Sequence, residues 1–402
     1  MTELNEDILR LVFQAAAASI HTSENRDPES PSTLLACCLV CKTWQRPAQA
    51  ILQRTLVIGS ERQLARRLLS RSEDDLKYVR EAIFSQQSGR GYFRCDPEPV
   101  LKALPTNELV SLAFRLDGTF APGRDAIDRA AIGTRHHAPP PYPFTFPRLR
   151  EAVLGNINGG ASWTPLLQVT PALQYLEMVG VGWTGHSEYA HTPLYLPLQP
   201  PPFSLKHFDL HRSHIRREPL RWLLSRSGQS LQCLSIRFLQ RDWDTMADVS
   251  ELRAERLLPN VTHLDIETNQ SNVKSWEKWL SGPLAKWSGI ESIYIYGLDN
   301  KCRAALIHGI SKLDPIPLVE LGVGDMRLHE FKGLFRLRKG KLRQGTVLRL
   351  LTSPSGNSHA HRGYGPWDYQ AKEYWDEMGE EATEIALKAG VTLEISSTSR
   401  RL

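Results

Sequence analysis

The sequence is short of the features that would announce a chemical role. It contains no Gly-x-Ser-x-Gly elbow and no phosphate-binding glycine loop closed by Lys-Ser or Lys-Thr, so the nucleophile and nucleotide motifs that can be read locally are excluded. No apolar run in the chain approaches the roughly 18 to 20 residues that span a bilayer. The opening "MTELNEDILRLVFQ" places three acids in its first seven residues and no basic start, unlike a secretory leader. Six cysteines in 402 residues are few, and Cys95, Cys233 and Cys302 stand far apart. That spacing argues against a disulfide framework and for a reducing compartment. The formal charge of +5 is mild for this length and does not by itself imply nucleic acid. The expected setting is cytoplasmic or nuclear, with neither membrane nor nucleic acid as a partner.

The first feature present is "TLLACCLVCKTWQRPAQAIL" (33–52), with Cys38 and Cys41 in a Cys-x-x-Cys pair and Cys37 beside it. A structural zinc site needs four ligands, commonly from a second pair nearby, and the next cysteine is Cys95, alone. A redox motif would sit between a strand and a helix. Here the spacing predicts one continuous helix, with Cys37, Cys41, Trp44 and Ala48 on one face. Buried thiols behave as small hydrophobes. No metal and no cofactor is expected.

Upstream, "LNEDILRLVF" (4–13) reads as a second short amphipathic helix. Ile8 and Val12 share one face, and Leu9 and Phe13 the adjacent one. Asn5 can cap it, and Glu6 and Asp7 suit the positive end of its dipole. The polar stretch "SIHTSENRDPESPS" (19–32) reads as a loop, after which Ser32 or Thr33 caps the next helix. A helical unit this small, apolar on more than one face, is stable only when packed on something else.

These residues resemble the F-box motif, in a variant with a lengthened loop. The elements that match are Leu4, Asp7, Ile8 and Leu9, Val12 and Phe13, Leu34 and Leu35, then Leu39, Val40, Cys41, Lys42 and Trp44. Asn5 stands where the family has proline. The resemblance implies docking on the Skp adaptor of a cullin-based ubiquitin ligase. It assigns adaptor binding to Leu4, Ile8, Leu9, Val12, Phe13, Leu34, Leu35, Leu39, Val40, Lys42 and Trp44.

From residue 55 onward a Leu-x-x-Leu-x-Leu pattern recurs, as in "LVSLAF" (109–114), "LQYLEM" (173–178), "LQCLSI" (231–236), "VTHLDI" (261–266) and "IESIYI" (290–295). Successive members start mostly roughly 24 to 32 residues apart, the range of leucine-rich repeats and their irregular relatives. Each is expected to be a strand whose alternate residues, such as Leu176 and Met178 or Leu264 and Ile266, turn inward. Helices are expected between them, for example at 217–228 and 275–289. One strand and one helix cannot bury both apolar faces, so the units must stack. Most asparagine and leucine landmarks of regular leucine-rich repeats are missing, which makes this a degenerate member.

Several local features look like sites. "HFDLHRSH" (207–214) gathers three histidines, but on a strand four residues cover about 13 Å, too far for a shared metal. The basic run "FRLRKGKLRQG" (335–345) is read as balanced by the acids Asp376, Glu377, Glu380, Glu381 and Glu384. Long insertions at 118–147, 180–203 and 353–369 each follow a strand, on the side where repeat proteins often bind. Their aromatics Trp183, Tyr189, Tyr195, Tyr364, Trp367 and Tyr369 are the expected target contacts.

The fold expected is α/β: an N-terminal helical F-box-like unit (1–54), then an irregular leucine-rich-repeat-like solenoid of parallel strands and helices (55–402). The function this implies is substrate recognition in a Skp–cullin–F-box ubiquitin ligase, not enzymatic in itself, with a protein target of unknown identity. A repeat-based interaction scaffold outside any ligase is the competing reading.

Overall fold

A computed structural model describes residues 39–69, 76–85, 97–115, 141–155, 163–183, 196–197, 199–211, 213–238, 252, 258–268, 289–296, 317–322, 326–336, 346–351 and 367–396. The chain divides into two compact units, Met1–Val181 with Thr192–Phe203, and Gly182–His191 with Ser204–Leu402.

The first unit opens with α1 (Lys42–Leu52), β1 (Thr55–Ile58) and α2 (Glu61–Leu64), which runs on into a π-helical turn, Ala65–Leu69. Then come β2 (Glu81–Ser85), α3 (Pro97–Lys102), β3 (Ser111–Arg115), β4 (Glu151–Gly155), α4 (Thr164–Leu167) and β5 (Tyr175–Val179). The five strands pair in chain order and all run parallel. The second unit contains β6 (Gly182–Trp183), β7 (His207–His211), β8 (His214–Ile215), α5 (Arg217–Leu224), β9 (Cys233–Phe238), β10 (His263–Thr268) and β11 (Ser292–Tyr296). It continues with β12 (Leu318–Gly322), α6 (Leu328–Arg336), β13 (Val347–Leu351), α7 (Trp367–Lys388) and β14 (Thr392–Ser396). Here β7, β9, β10, β11, β12, β13 and β14 form seven parallel strands in chain order, while β6 pairs with β8 apart from them. Parallel neighbours need a crossover of a dozen or more residues. The spacing of the Leu-x-x-Leu-x-Leu pattern provides it.

A backbone signature recurs at the mouth of β2 to β5 and β9 to β11. The carbonyl of Arg54 accepts the N–H groups of both Arg80 and Glu81 at 2.8 and 3.0 Å, and the carbonyl of Arg80 accepts those of Val110 and Ser111 at 2.7 and 3.1 Å. Val110 does the same for Arg150 and Glu151, and Arg150 for Gln174 and Tyr175. In the second unit Lys206, Gln232 and Thr262 clasp the following strand in this way. At β12 the first clasp position is Pro317, which has no N–H, and only Leu318 bonds the carbonyl of Glu291. The clasps step by 26 residues (54 to 80), 30 (80 to 110), 40 (110 to 150) and 24 (150 to 174). The long step contains the insertion at 118–147.

The core follows the expected alternation. Leu176, Met178, Leu264 and Ile266 are fully buried. In the first unit Phe84 and Phe114 lie opposite each other in register and stack with centroids 4.6 Å apart, with Trp163 at 5.0 Å from Phe114. In the second unit the rows Phe208–Leu234–Leu264–Ile293–Val319–Leu348 and Leu210–Ile236–Ile266 close the same side of the strands. Phe331 of α6 meets Trp375 of α7 edge-on at 5.7 Å, both fully buried. Helix α7 ends in a Schellman turn: Val391 N–H bonds Ala386 C=O, Gly390 N–H bonds Leu387 C=O, and Gly390 takes φ +75°. Only glycine adopts that conformation at little cost, and the turn delivers the chain directly into β14.

Local expectations differ from the structure at three places. The helix through Cys41 is not continuous. Leu39 and Val40 are helical, but Cys41 is extended (φ −163°, ψ 168°) and α1 begins anew at Lys42. The helix read at 217–228 stops at Leu224, where Ser225 Oγ bonds the carbonyl of Trp222 and begins to turn the chain. The start of the insertion at 180–203 is not simply loop, because Gly182–Trp183 pairs with His214–Ile215. The helix read at 275–289 falls on residues outside those described, Gly289 excepted.

Candidate interaction surfaces

Two surfaces stand out, and the first is at the start of α1. Cys41 offers no side-chain cap, but its carbonyl accepts the N–H groups of Trp44 and Gln45 at 3.1 and 3.0 Å. Pro47 lies inside the helix and lacks the N–H that would return to Thr43. Pro47 and Ala48 are buried, Trp44 and Ile51 half-buried, and Lys42, Gln45 and Gln49 exposed. The inner face of α1 therefore rests on the protein. Just ahead of it Leu39 is 86 % exposed and Val40 61 %. Two aliphatic side chains open to water on one short segment cost hydration free energy that a partner would recover.

Of the residues assigned to adaptor binding, Leu39, Val40, Lys42 and Trp44 lie on this segment. Leu4, Ile8, Leu9, Val12, Phe13, Leu34 and Leu35 lie outside the described residues. So do Tyr189, Tyr195 and Tyr364 among the expected target contacts. Trp183 falls on β6, and Trp367 and Tyr369 on the first turn of α7. Cys41, read as a buried thiol, is free and exposed, and Cys37 and Cys38 lie outside the described residues. Among the described residues no three His, Cys, Asp or Glu side chains are placed to share a metal ion, and no helix is long and apolar enough to cross a membrane.

The second surface is the face of the parallel strands turned away from the aliphatic core. Its central row in the first unit is Val57, Ile83, Ala113, Val153 and Glu177. The equivalent row in the second unit is Asp209, Ser235, Asp265, Tyr294, Glu320, Arg349 and Glu394. Hydrophobic periodicity could not reveal this row, because it is defined only once strands are placed in register. Arg349 is the strongest electrostatic feature on it. Its guanidinium reaches Glu394 through two nitrogens at 2.8 and 2.7 Å and also bonds Glu320. Burial alone would lower its pKa, but the hydrogen bonds and charges of Glu394 and Glu320 outweigh that and raise it. At the other end, burial, then the neighbouring His263 and Lys206, hold the His207 imidazole below its ordinary pKa.

The basic run at 335–345 lies mostly outside the described residues. The acids of α7 expected to balance it, Asp376, Glu377, Glu380, Glu381 and Glu384, are all exposed. Glu381 pairs with Lys332 of α6, and Glu384 with Lys388 at 2.6 Å. Phe331 belongs to the core, and Phe335 packs against it at 5.1 Å.

No protein-family model matches the chain, and no curated protein matches it in sequence. Among solved structures, a protein from Bacteroides fragilis is similar with a TM-score of 0.40 and 12 % identity, over 86 % of this chain and 75 % of that one.

Proposed function

We propose that this chain is a substrate-recognition adaptor of a Skp–cullin–F-box ubiquitin ligase, an F-box-like helical unit followed by a leucine-rich-repeat-like array. The observation that carries the reading is the exposed pair Leu39–Val40 directly ahead of Cys41-Lys42-x-Trp44. Those are the positions at which the F-box resemblance calls for contact with the adaptor, and aliphatic side chains left in water there suit that use. Within each unit the clasped parallel strands offer an ordered face that suits holding a target. Mechanism in this reading is positioning: a target held near the ubiquitin carrier reacts at a raised effective concentration, and the chain itself contributes no chemical group.

The test is capture of a purified Skp-type adaptor by the full chain. Wild type retains the adaptor, and Leu39→Asp with Val40→Asp releases it. Each aliphatic side chain is worth about 1.5 to 3 kcal/mol when fully buried, so loss should exceed tenfold in affinity by a wide margin. Because both positions are exposed, the variant's circular dichroism and melting should match wild type. Capture that survives the double substitution, or that wild type never shows, sinks the reading.

A further inference from the structure

Strand β14 comes last in the order of the second unit's strands, and among the described residues no strand pairs with its outer side. Thr392 N–H donates to Thr346 C=O at 3.1 Å. Backbone groups alternate along a strand, so those of Thr392, Glu394 and Ser396 turn toward β13, and those of Leu393 and Ile395 turn outward. Outward donors and acceptors of this kind are a template for one more strand.

The side chains of β14 state what that strand should carry. Leu348 and Leu350 of β13 are fully buried, whereas their register partners Leu393 and Ile395 are only half-buried. The two aliphatic rows therefore stop with an exposed flank. Between them the row Glu320–Arg349–Glu394 alternates in sign. Arg349 divides its hydrogen bonds between two carboxylates, and the Glu394 side chain stays 47 % exposed. The next position in that row calls for a cation, and the next positions in the flanking rows call for aliphatics.

We propose that the outer edge of β14 receives an extended segment of another protein reading aliphatic–basic–aliphatic, with its Lys or Arg opposite Glu394. That pattern is the same in both chain directions, so it fits parallel or antiparallel addition. It is also what β13 presents to β14 from the inner side, as Leu348, Arg349 and Leu350. A second copy of this chain is a poor occupant, since edges meeting in register at Glu394 bring carboxylate against carboxylate, an unfavourable cross-strand pair. The site is separate from the Leu39–Val40 surface and does not depend on the adaptor reading.

The probe is a fluorescent peptide carrying Val-Leu-Arg-Leu-Leu between Gly-Ser flanks, titrated with the full chain by anisotropy. A control peptide has Glu in place of Arg. Replacing an attractive cross-strand pair by a repulsive one should weaken binding by roughly tenfold. Glu394→Lys in the protein should reverse the preference. Ile395→Pro should abolish binding of both peptides, because it deletes an outward donor while leaving the bonds to β13 in place. Equal binding of the two peptides, or no binding by wild type, overturns the proposal. So does self-association of the chain that Ile395→Pro removes, which would give the edge to a second copy. If Ile395→Pro melts early, the reversal by Glu394→Lys decides alone. Adaptor capture should be unchanged by either variant, so failure here and failure of the ligase reading are separately visible.

Discussion

The two units bury the same kind of core and differ on the other side of their strands. In the first unit the central row is Val57, Ile83, Ala113 and Val153, with Ala113 and Val153 nearly buried, and a charge appears only at Glu177. In the second unit the row runs Asp209, Ser235, Asp265, Tyr294, Glu320, Arg349 and Glu394. At Ala113 and Val153 the first unit keeps water from its central row by burial, whereas the second unit must satisfy polar groups along that row with hydrogen bonds and ion pairs. The apolar row tolerates loss of shape but not the arrival of a charge. The charged row should not tolerate the loss of one partner. A face rich in placed polar groups also discriminates between partners better than an apolar one, since each polar group rejects what leaves it unpaired.

The contrast is broken most directly by moving the second unit's chemistry into the first. Val153→Asp places a carboxylate at a position only 8 % exposed, in register with Ala113 and Glu177. Neither neighbour is a cation. The expected loss is about 3 kcal/mol, the scale of an uncompensated buried polar group, read by urea unfolding. A loss under about 1 kcal/mol, that of an ordinary surface change, would mean that this face of the first unit is as wet as that of the second.

The converse experiment removes a partner from the charged row. Arg349→Met keeps the stem of the side chain but leaves the Glu320 carboxylate, 11 % exposed, and Glu394 on the far side of β13 without their shared cation. Glu394, one of the three, is 47 % exposed, so the cost should fall below that of a fully buried pair, at about 2 kcal/mol. Adding Glu320→Gln should restore about half of it, since the orphaned charge and not the missing contact carries most of the penalty. If the double variant is no more stable than the single one, the row is held by packing and its charges are incidental.

How far this contrast was legible in the sequence depends on the kind of force involved. The aliphatic rows were visible because burial selects residue type at a fixed period, and Leu176, Met178, Leu264 and Ile266 sit inside as the pattern required. The strand clasps were invisible, since backbone amides bond one carbonyl whatever their side chains, and only Pro317 leaves a trace. Asn260, whose side chain bonds the carbonyl of Gln229 at 2.8 Å, ties one inter-repeat turn to the next, a role that one asparagine cannot announce. The break at Cys41 was hidden because a helical pattern of apolar residues carries through a single extended residue unchanged. The triad of Glu320, Arg349 and Glu394 spans 29 and 45 residues of separation from Arg349, and no spacing rule links them before register is known. Leu39 and Val40 were singled out by resemblance, but their exposure belongs to the folded chain.

The smallest effect concerns protons. His207 lies two strands from His263, with Cys233 between them, on the same face as the polar row through Asp209, and Thr262 Oγ1 is 2.7 Å from His263 Nδ1. Burial first, then the charges of His263 and Lys206, lower the pKa of His207 in the folded chain. In the unfolded chain its pKa returns to about 6.5, so on acidification the unfolded state takes up the proton first. Stability from this group is therefore complete above pH about 6.5 and is lost as pH falls through that value toward the lower folded pKa. The group is only half-buried, so solvent screening keeps the loss small. Urea midpoints at pH 7.5 and 5.5 should separate more for wild type than for His207→Gln. Hydrogen exchange should place the difference in β7, β9 and β10 and leave β1 to β5 unchanged. If the first unit loosens equally in acid, the proton-sensitive groups are not confined to the polar row, and the two faces differ in composition without differing in behaviour.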